Sequence, residues 1–224
     1  MPRVFRYIAP QHAEALVHGG EVLFRSLSYF RDYEDDGLRA DEFEGTLVHR
    51  PQEGLKVRVE RTGQEISVPY RFESTARESE IFVYCLSTTK SEEIARRFGT
   101  STCVEFRDAE EFVSRIRAAL HRCLDIGDRD FVHDEVRYYE HHEPPIVDWA
   151  LPERIALRKP KSYSWQHEYR VAFGVGGAFN VENVRVKLVP IDSCRSGSAA
   201  PHQKVVLHLG DLTDLCRIHL IQQR

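Results

Sequence analysis

Residues 81–87 read IFVYCLS, a nearly continuous apolar run bounded by polar text. A segment that short and that apolar has no wet face, which assigns it to a central strand covered on both sides. The flanking sequence supplies the partners such a strand needs. RVFRYI (3–8) reads as a strand, PQHAEALVHGG as a short helix opened by Pro10 and stopped at Gly19-Gly20, and EVLFRSLSYF as a second strand. LKVRVE and EISVPY alternate apolar and polar residues around Thr62-Gly63, the pattern of a β-hairpin. TCVEF, SWQHEYRVAF, VRVKLVPI, KVVLHL and RIHLI are further strands, with Gly174–Gly177 as a hairpin loop between the second and third of these. KSEEIARRFG is a short helix, and in DAEEFVSRIRAALHRCL the residues Phe112, Ile116, Leu120 and Cys123 recur at helical spacing. Asp32 to Gly45 is acidic and turn-prone and reads as a surface loop. Asp125 to Ala150 reads as irregular, broken by Pro144-Pro145. Strands dominate both ends and helices lie between them, so the fold class is α+β.

The chain has 224 residues, 42% of them hydrophobic, enough for one sizeable core, and a single domain over 1–224 is expected. With 31 basic against 35 acidic side chains the net charge is −4, which lacks the basic footprint of a protein that coats duplex DNA. No apolar run approaches a membrane span and the opening MPRVFRYIAP lacks a long apolar core, so no membrane partner and a cytoplasmic location are expected. Cys85, Cys103, Cys123, Cys194 and Cys216 are odd in number and widely spaced, the usage of reduced core residues rather than of a disulfide or zinc framework.

The stretch SYSWQHEYRVAF (162–173) raises the functional question. Read as a strand, it places Trp165, His167, Tyr169, Val171 and Phe173 on one face and Gln166, Glu168 and Arg170 on the other. The first face is core, and the second faces either solvent or a polar cleft. The bland reading is a wet face. The sharper one is a cleft in which Glu168 is the charge that does chemistry.

QHEYRV resembles the glutamine-x-glutamate strand of ADP-ribosyltransferases, in particular the catalytic strand of the DarT-like nucleic-acid ADP-ribosyltransferases. FRYIAPQHAEALVHGGEVLFRS is similar to the opening of that family, departing from it at Ala9. A second series, FRYI…GEVLFRSLSYFRDYED, IFVYCLS…RRFGTSTCVEF and KPKSYSWQHEYRV, resembles a widespread bacterial family to which no activity is attached. The first resemblance implies a split antiparallel β-sheet with flanking helices and NAD as the substrate. It also implies a nucleic-acid (single-stranded or RNA) or protein acceptor, and the biology of a toxin or anti-phage effector with a possible antitoxin. It casts Glu168 as the catalytic carboxylate, supported by Gln166, and places NAD contacts on Arg6, Tyr7, Arg25, Ser26 and Ser28. The chemistry suits those types: a carboxylate stabilises the positive sugar ring that forms as nicotinamide leaves, and arginine pairs with pyrophosphate.

Two rivals remain at this stage. Asp32, Asp41 and Glu44 in the acidic loop 32–44 would suit a metal-dependent nuclease, although the EF-hand pattern fails where Phe43 stands at its last ligand position. A non-enzymatic binding module could use the Glu168 face to recognise a partner. GVGGAF leads to another strand and is no dinucleotide fingerprint, and YYEHHEPP lacks the spacing of a helical metal site.

Overall fold

The computed structural model describes residues 3–32, 41–124, 126–193 and 203–221. The chain opens with β1 (Val4–Tyr7), α1 (Pro10–Gly19), β2 (Glu21–Ser26) and α2 (Leu27–Asp32). It continues through β3 (Thr46–His49), β4 (Leu55–Arg58), β5 (Glu65–Val68), β6 (Tyr70–Thr75) and β7 (Ile81–Ser87). After α3 (Glu92–Arg97), β8 (Thr102–Phe106) and α4 (Ala109–Leu124) come β9 (Phe131–Glu135), β10 (Arg137–Tyr139), α5 (Pro152–Ile155) and β11 (Arg158–Pro160). The last strands are β12 (Glu168–Gly174), β13 (Arg185–Pro190), β14 (Lys204–His208) and β15 (Cys216–Leu220). The α+β class holds, around a largely antiparallel open sheet.

As its composition demands, β7 is central. One edge pairs with β12 along its whole length, from Glu168↔Ser87 to Gly174↔Ile81, and β12 pairs in turn with β9. The other edge is shared: β2 pairs at Arg25↔Val83 and Ser26↔Phe82, whereas β1 pairs at Phe5↔Ser87. The two opening strands therefore part company along β7, β2 leading outward to β14 and β1 to β8 and β15. All these pairs are antiparallel. A smaller sheet β13-β6-β3 and the β4-β5 hairpin complete the strand framework, with β10-β11 as the one parallel pair among the described residues.

Strand alternation then assigns the faces. Tyr84, Leu86, Tyr169, Val171 and Phe173 share one face, where α1 brings Leu16 and Val17 and α4 brings Phe112, Val113, Ile116 and Leu120. Burying each such side chain contributes about 1.5–3 kcal/mol. The opposite face, carrying Val83 and Ala172, packs on Leu27, Leu47, Tyr139, Trp149 and Ile155. Near β1 and β8, Phe5, Tyr7 and Cys103 pack on Ile94 and Ala95 of α3. Ser91 caps that helix by accepting from the Ile94 amide.

Several sequence readings change. Lys161–Gln166 is a 3-10 helix and His167 has φ 43°, so the strand begins only at Glu168 and alternation does not extend back to Trp165. In EVLFRSLSYF the strand stops at Ser26 and Leu27 starts α2. The segment after Gly174 is no hairpin, because β13 pairs with β6 and leaves β12 to β9. β9 and β10 occupy text read as irregular. The acidic segment is a surface loop only in part where it is described: Glu42 is exposed but Asp41 and Glu44 are buried, and residues 33–40 lie outside the described residues. Cys103 and Cys216 are buried and unpaired as expected, but Cys85 is half-buried and Cys123 exposed; Cys194 lies outside the described residues.

Candidate functional site

Glu168 and Arg170 project from the same face of β12, as the sequence pattern implied, but that face looks into the protein. Arg170 is fully buried and Glu168 is 4% exposed. The Arg170 guanidinium donates through Nε to Glu168 Oε1 at 2.6 Å, and through Nη1 and Nη2 to the two oxygens of Glu44 at 2.6 and 2.9 Å. Nη1 also donates to the Ala156 carbonyl at 2.7 Å. β11 contributes Lys159, whose Nζ donates to Gln166 Oε1 at 2.9 Å and lies 3.1 Å from Glu168 Oε2 and 3.8 Å from Glu44 Oε2. The result is a closed circuit of two carboxylates and two cations, with Gln166 attached. Glu168 Oε2 is ion-paired to Lys159 at 3.1 Å but has no hydrogen-bond partner among the described residues.

Local chain geometry explains how Glu44 arrives. Asp41 Oδ1 accepts from the Phe43 amide at 3.0 Å, and the Glu44 amide donates to the Asp41 carbonyl at 2.8 Å. This tight turn ends at Gly45, whose φ of 75° lets the chain reverse into β3. The same turn buries Asp41, whose Oδ2 has no hydrogen-bond partner among the described residues.

Electrostatics separate the two acids. Burial pushes the Glu168 carboxyl up, but Arg170 and Lys159 beside it outweigh this and hold it down at about 2. Asp41 has no such partner; burial, then the neighbouring Glu44, raise it to about 7. Burial disfavours the charge on Lys159, yet Glu168 and Glu44 hold its ammonium above the ordinary range. Glu168 is thus ionised through the physiological range, and its backbone amide is fixed by donation to the Tyr138 hydroxyl at 2.8 Å.

The remaining candidates divide by face. Ser87 pairs with both Glu168 and Phe5, so these three side chains share a side and Tyr7 joins them, while Arg6 points to the other. Arg6 lies over the Tyr84 ring at 4.7 Å and donates to the Cys85 carbonyl, in the stretch of β7 between the residues paired with β2 and with β1. It plugs the split from the side away from Glu168. Tyr7 donates to the Thr89 carbonyl at 2.9 Å and accepts from the Ser91 amide at 2.7 Å, which fixes the loop after β7. That loop reaches the candidate strand directly, because Ser87 Oγ donates to the Gln166 carbonyl at 2.9 Å and the Thr88 amide to the His167 carbonyl at 2.8 Å. Arg25 pairs with Val83, which pairs with Ala172, so it stands on the Glu168 side, stacked 4.5 Å over Tyr29. Ser26 and Ser28 are buried and share a hydrogen bond at 2.9 Å.

Thus Gln166 and Glu168 are brought together, Tyr7 and Arg25 share their face, and Arg6 does not. Lys159 and Glu44 are the residues of the Glu168 circuit that sequence reasoning missed, and Asp41 is the buried acid of the turn that delivers Glu44. Of the acidic-loop set, Asp32 accepts from Arg31 Nε at 3.0 Å and Glu44 is committed to Arg170. Among the described residues no three His, Cys, Asp or Glu side chains converge as a metal site. No helix among the described residues is long and apolar enough to cross a membrane. No protein-family model, no curated protein and no solved structure matches the chain.

Proposed function

We propose that this protein transfers ADP-ribose from NAD, with Glu168 as the catalytic carboxylate. The observation that carries the reading is the convergence of Gln166 and Glu168 on Lys159, beside a β7 whose opposite edge is split between β1 and β2. A carboxylate held ionised in a dry environment is suited to an oxocarbenium-like transition state, because its field is little screened there. In the reaction the bond from the ribose anomeric carbon to the nicotinamide nitrogen breaks and the electron pair leaves with nicotinamide. The acceptor attacks the same carbon and loses its proton. Glu168 Oε2, buried and without a hydrogen-bond partner, is the oxygen assigned to a ribose hydroxyl, and Gln166 orients the carboxylate through Lys159. Arg25 and Tyr7 stand on the Glu168 side, whereas Ser26, paired with Phe82, faces away from it and forms a buried pair with Ser28 at the end of β2. Arg6 supports the split from behind and is assigned a positioning role. The acceptor, nucleic acid or protein, and the toxin or anti-phage setting belong to the same proposal.

A second reading draws on the closure of the ion circuit: Glu168 is as buried as a core residue, which suits a binding module whose charges lock the fold. Millimolar NAD separates the two. The enzyme reading expects a raised melting temperature and slow nicotinamide release by the wild-type protein, abolished in Glu168→Gln and retained in Cys123→Ser, an exposed change on α4 away from the site, with circular dichroism reporting that each variant is folded. An unchanged melt and no nicotinamide release leave the binding module.

A further inference from the structure

Outside the Glu168 circuit, one cavity is lined by Arg137, Arg154 and Arg158 with Asp134, Glu135, Asp148 and Leu157. Its empty space is about 190 Å³, part of it open to solvent, with room for about one water-sized group. The register of the parallel pair β10-β11 places Arg137 directly beside Arg158, and α5 adds Arg154 from the turn just before β11. All three guanidinium groups act on Asp148, which is held below its ordinary range, first by the Arg158 hydrogen bond and then, against burial, by the charges of Arg158, Arg154 and Arg137.

The Arg158 side chain is only 9% exposed, and its Nη2 donates to Asp148 Oδ2 at 2.6 Å. Its Nε, also buried, has no partner. No hydrogen bond or ion pair engages the guanidinium groups of Arg137 and Arg154 among the described residues. On the acidic side, Asp148 is committed to Arg158, Asp134 Oδ1 accepts from the Glu135 amide at 2.8 Å, and no oxygen of Asp134, Glu135 or Asp148 is buried without a partner. Among the residues that line the cavity, the unsatisfied buried group is therefore a charged donor. A buried guanidinium N–H left bare is costly, and an anionic oxygen is its strongest complement.

We propose that this arginine cavity is a binding site for a phosphoryl oxyanion, with one oxygen inserted against Arg158 Nε and the remainder held at the mouth by Arg137 and Arg154. Planar guanidinium forks present paired donors at the spacing of phosphate oxygens, which favours this ligand class over a halide. The site shares β11 with the Glu168 circuit, Arg158 and Lys159 being neighbours there, but none of the circuit's residues lines the cavity, and it does not depend on the transferase reading.

The test is calorimetric titration of the full chain with inorganic phosphate and, separately, with a 5′-mononucleotide, against sodium chloride at matched ionic strength. Saturable binding of phosphate or of the nucleotide, absent with chloride, is the expected result, and preference between the two identifies a free ion or a phosphorylated ligand. Arg158→Ala risks the fold through Asp148, so the variant to use is R137Q/R154Q, whose lost guanidinium groups make no ion pair. Its melting temperature without ligand should match the wild type while affinity falls about tenfold or more. Absence of saturable binding, or equal affinity in the double variant, overturns the proposal and leaves a cavity that holds water.

Discussion

Asp41 and Glu168 sit in one charged neighbourhood and differ in one respect, the presence of a cation in direct contact. Glu168 has Arg170 and Lys159; Asp41 has a backbone amide on one oxygen and nothing on the other. Their pH contributions therefore have opposite sign. Glu168 is depressed to about 2 in the fold, so its contribution is present above the unfolded carboxylate range and lost as pH falls through that value. Asp41 is raised to about 7, so its contribution is fully present below the unfolded range and is lost as pH rises through about 7. Asp41→Asn should remove the second effect. Urea unfolding at pH 5 and pH 8 should show the wild type losing stability toward pH 8, by about 3 kcal/mol at most, and the variant losing far less. A wild type and variant with parallel profiles would show that Asp41 does not titrate in this window. None of this could be read from local sequence. Asp41 and Glu44 lie in an acidic stretch that by composition belongs at the surface, and they are drawn inward by Arg170, which lies 126 positions from Glu44.

At the scale of elements, the legible parts were those whose pattern is self-contained. IFVYCLS became the central strand because its apolar run admits no wet face, and α4 formed where apolar residues recur at helical spacing. The illegible parts were those whose polarity is answered by something distant. β9, with the sequence FVHDE, looks like a loop until β12 is placed beside it: its Phe131 joins the core and its His133 meets the Tyr169 hydroxyl at 2.7 Å. The start of β12 was misplaced because WQH looks strand-like, whereas His167 takes a left-handed conformation that turns the 3-10 helix into the strand. This residue is where the direction of Glu168 is set, since its carbonyl is gripped by the Thr88 amide and its own amide donates to Ser164 at 3.1 Å. His167→Val should cost about 1–2 kcal/mol, because a β-branched side chain resists positive φ, while His167→Gly should cost less than that. On α4, Ile116→Ala should cost about 2–5 kcal/mol because that side chain is completely enclosed. Chemical denaturation reads both, and a valine variant as stable as the glycine one would remove the role given to the His167 backbone.

For the whole molecule, the circuit of Glu44, Arg170, Glu168 and Lys159 is a joint between parts of the chain that the sheets alone do not connect. The turn at 41–44 belongs to the entry of β3 in the small sheet, Lys159 to the parallel pair β10-β11, and Glu168 and Arg170 to the large sheet. Arg170 makes the joint: one guanidinium reaches two carboxylates and a carbonyl with no solvent contact. Buried pairs of this kind add little net stability over well-packed apolar groups, since desolvation offsets most of the attraction, but breaking one partner strands the others. Arg170→Met should therefore cost about 3–5 kcal/mol, because Glu44 and Glu168 lose their shared donor. Adding Glu44→Leu to it should recover a large part of that loss, since one of the two stranded charges is gone, and the coupling in the double-mutant cycle should be on the order of 2 kcal/mol or more. Additive losses would mean that the two side chains act independently and that the sheets are joined by their apolar contacts alone. The same double variant tests the division between enzyme and lock. If the circuit serves only to hold the sheets together, the recovered fold should recover every property of the protein, including any response to NAD. If Glu168 acts on a ribose, the fold should return while nicotinamide release stays impaired, because the carboxylate will have lost the guanidinium that fixes its direction.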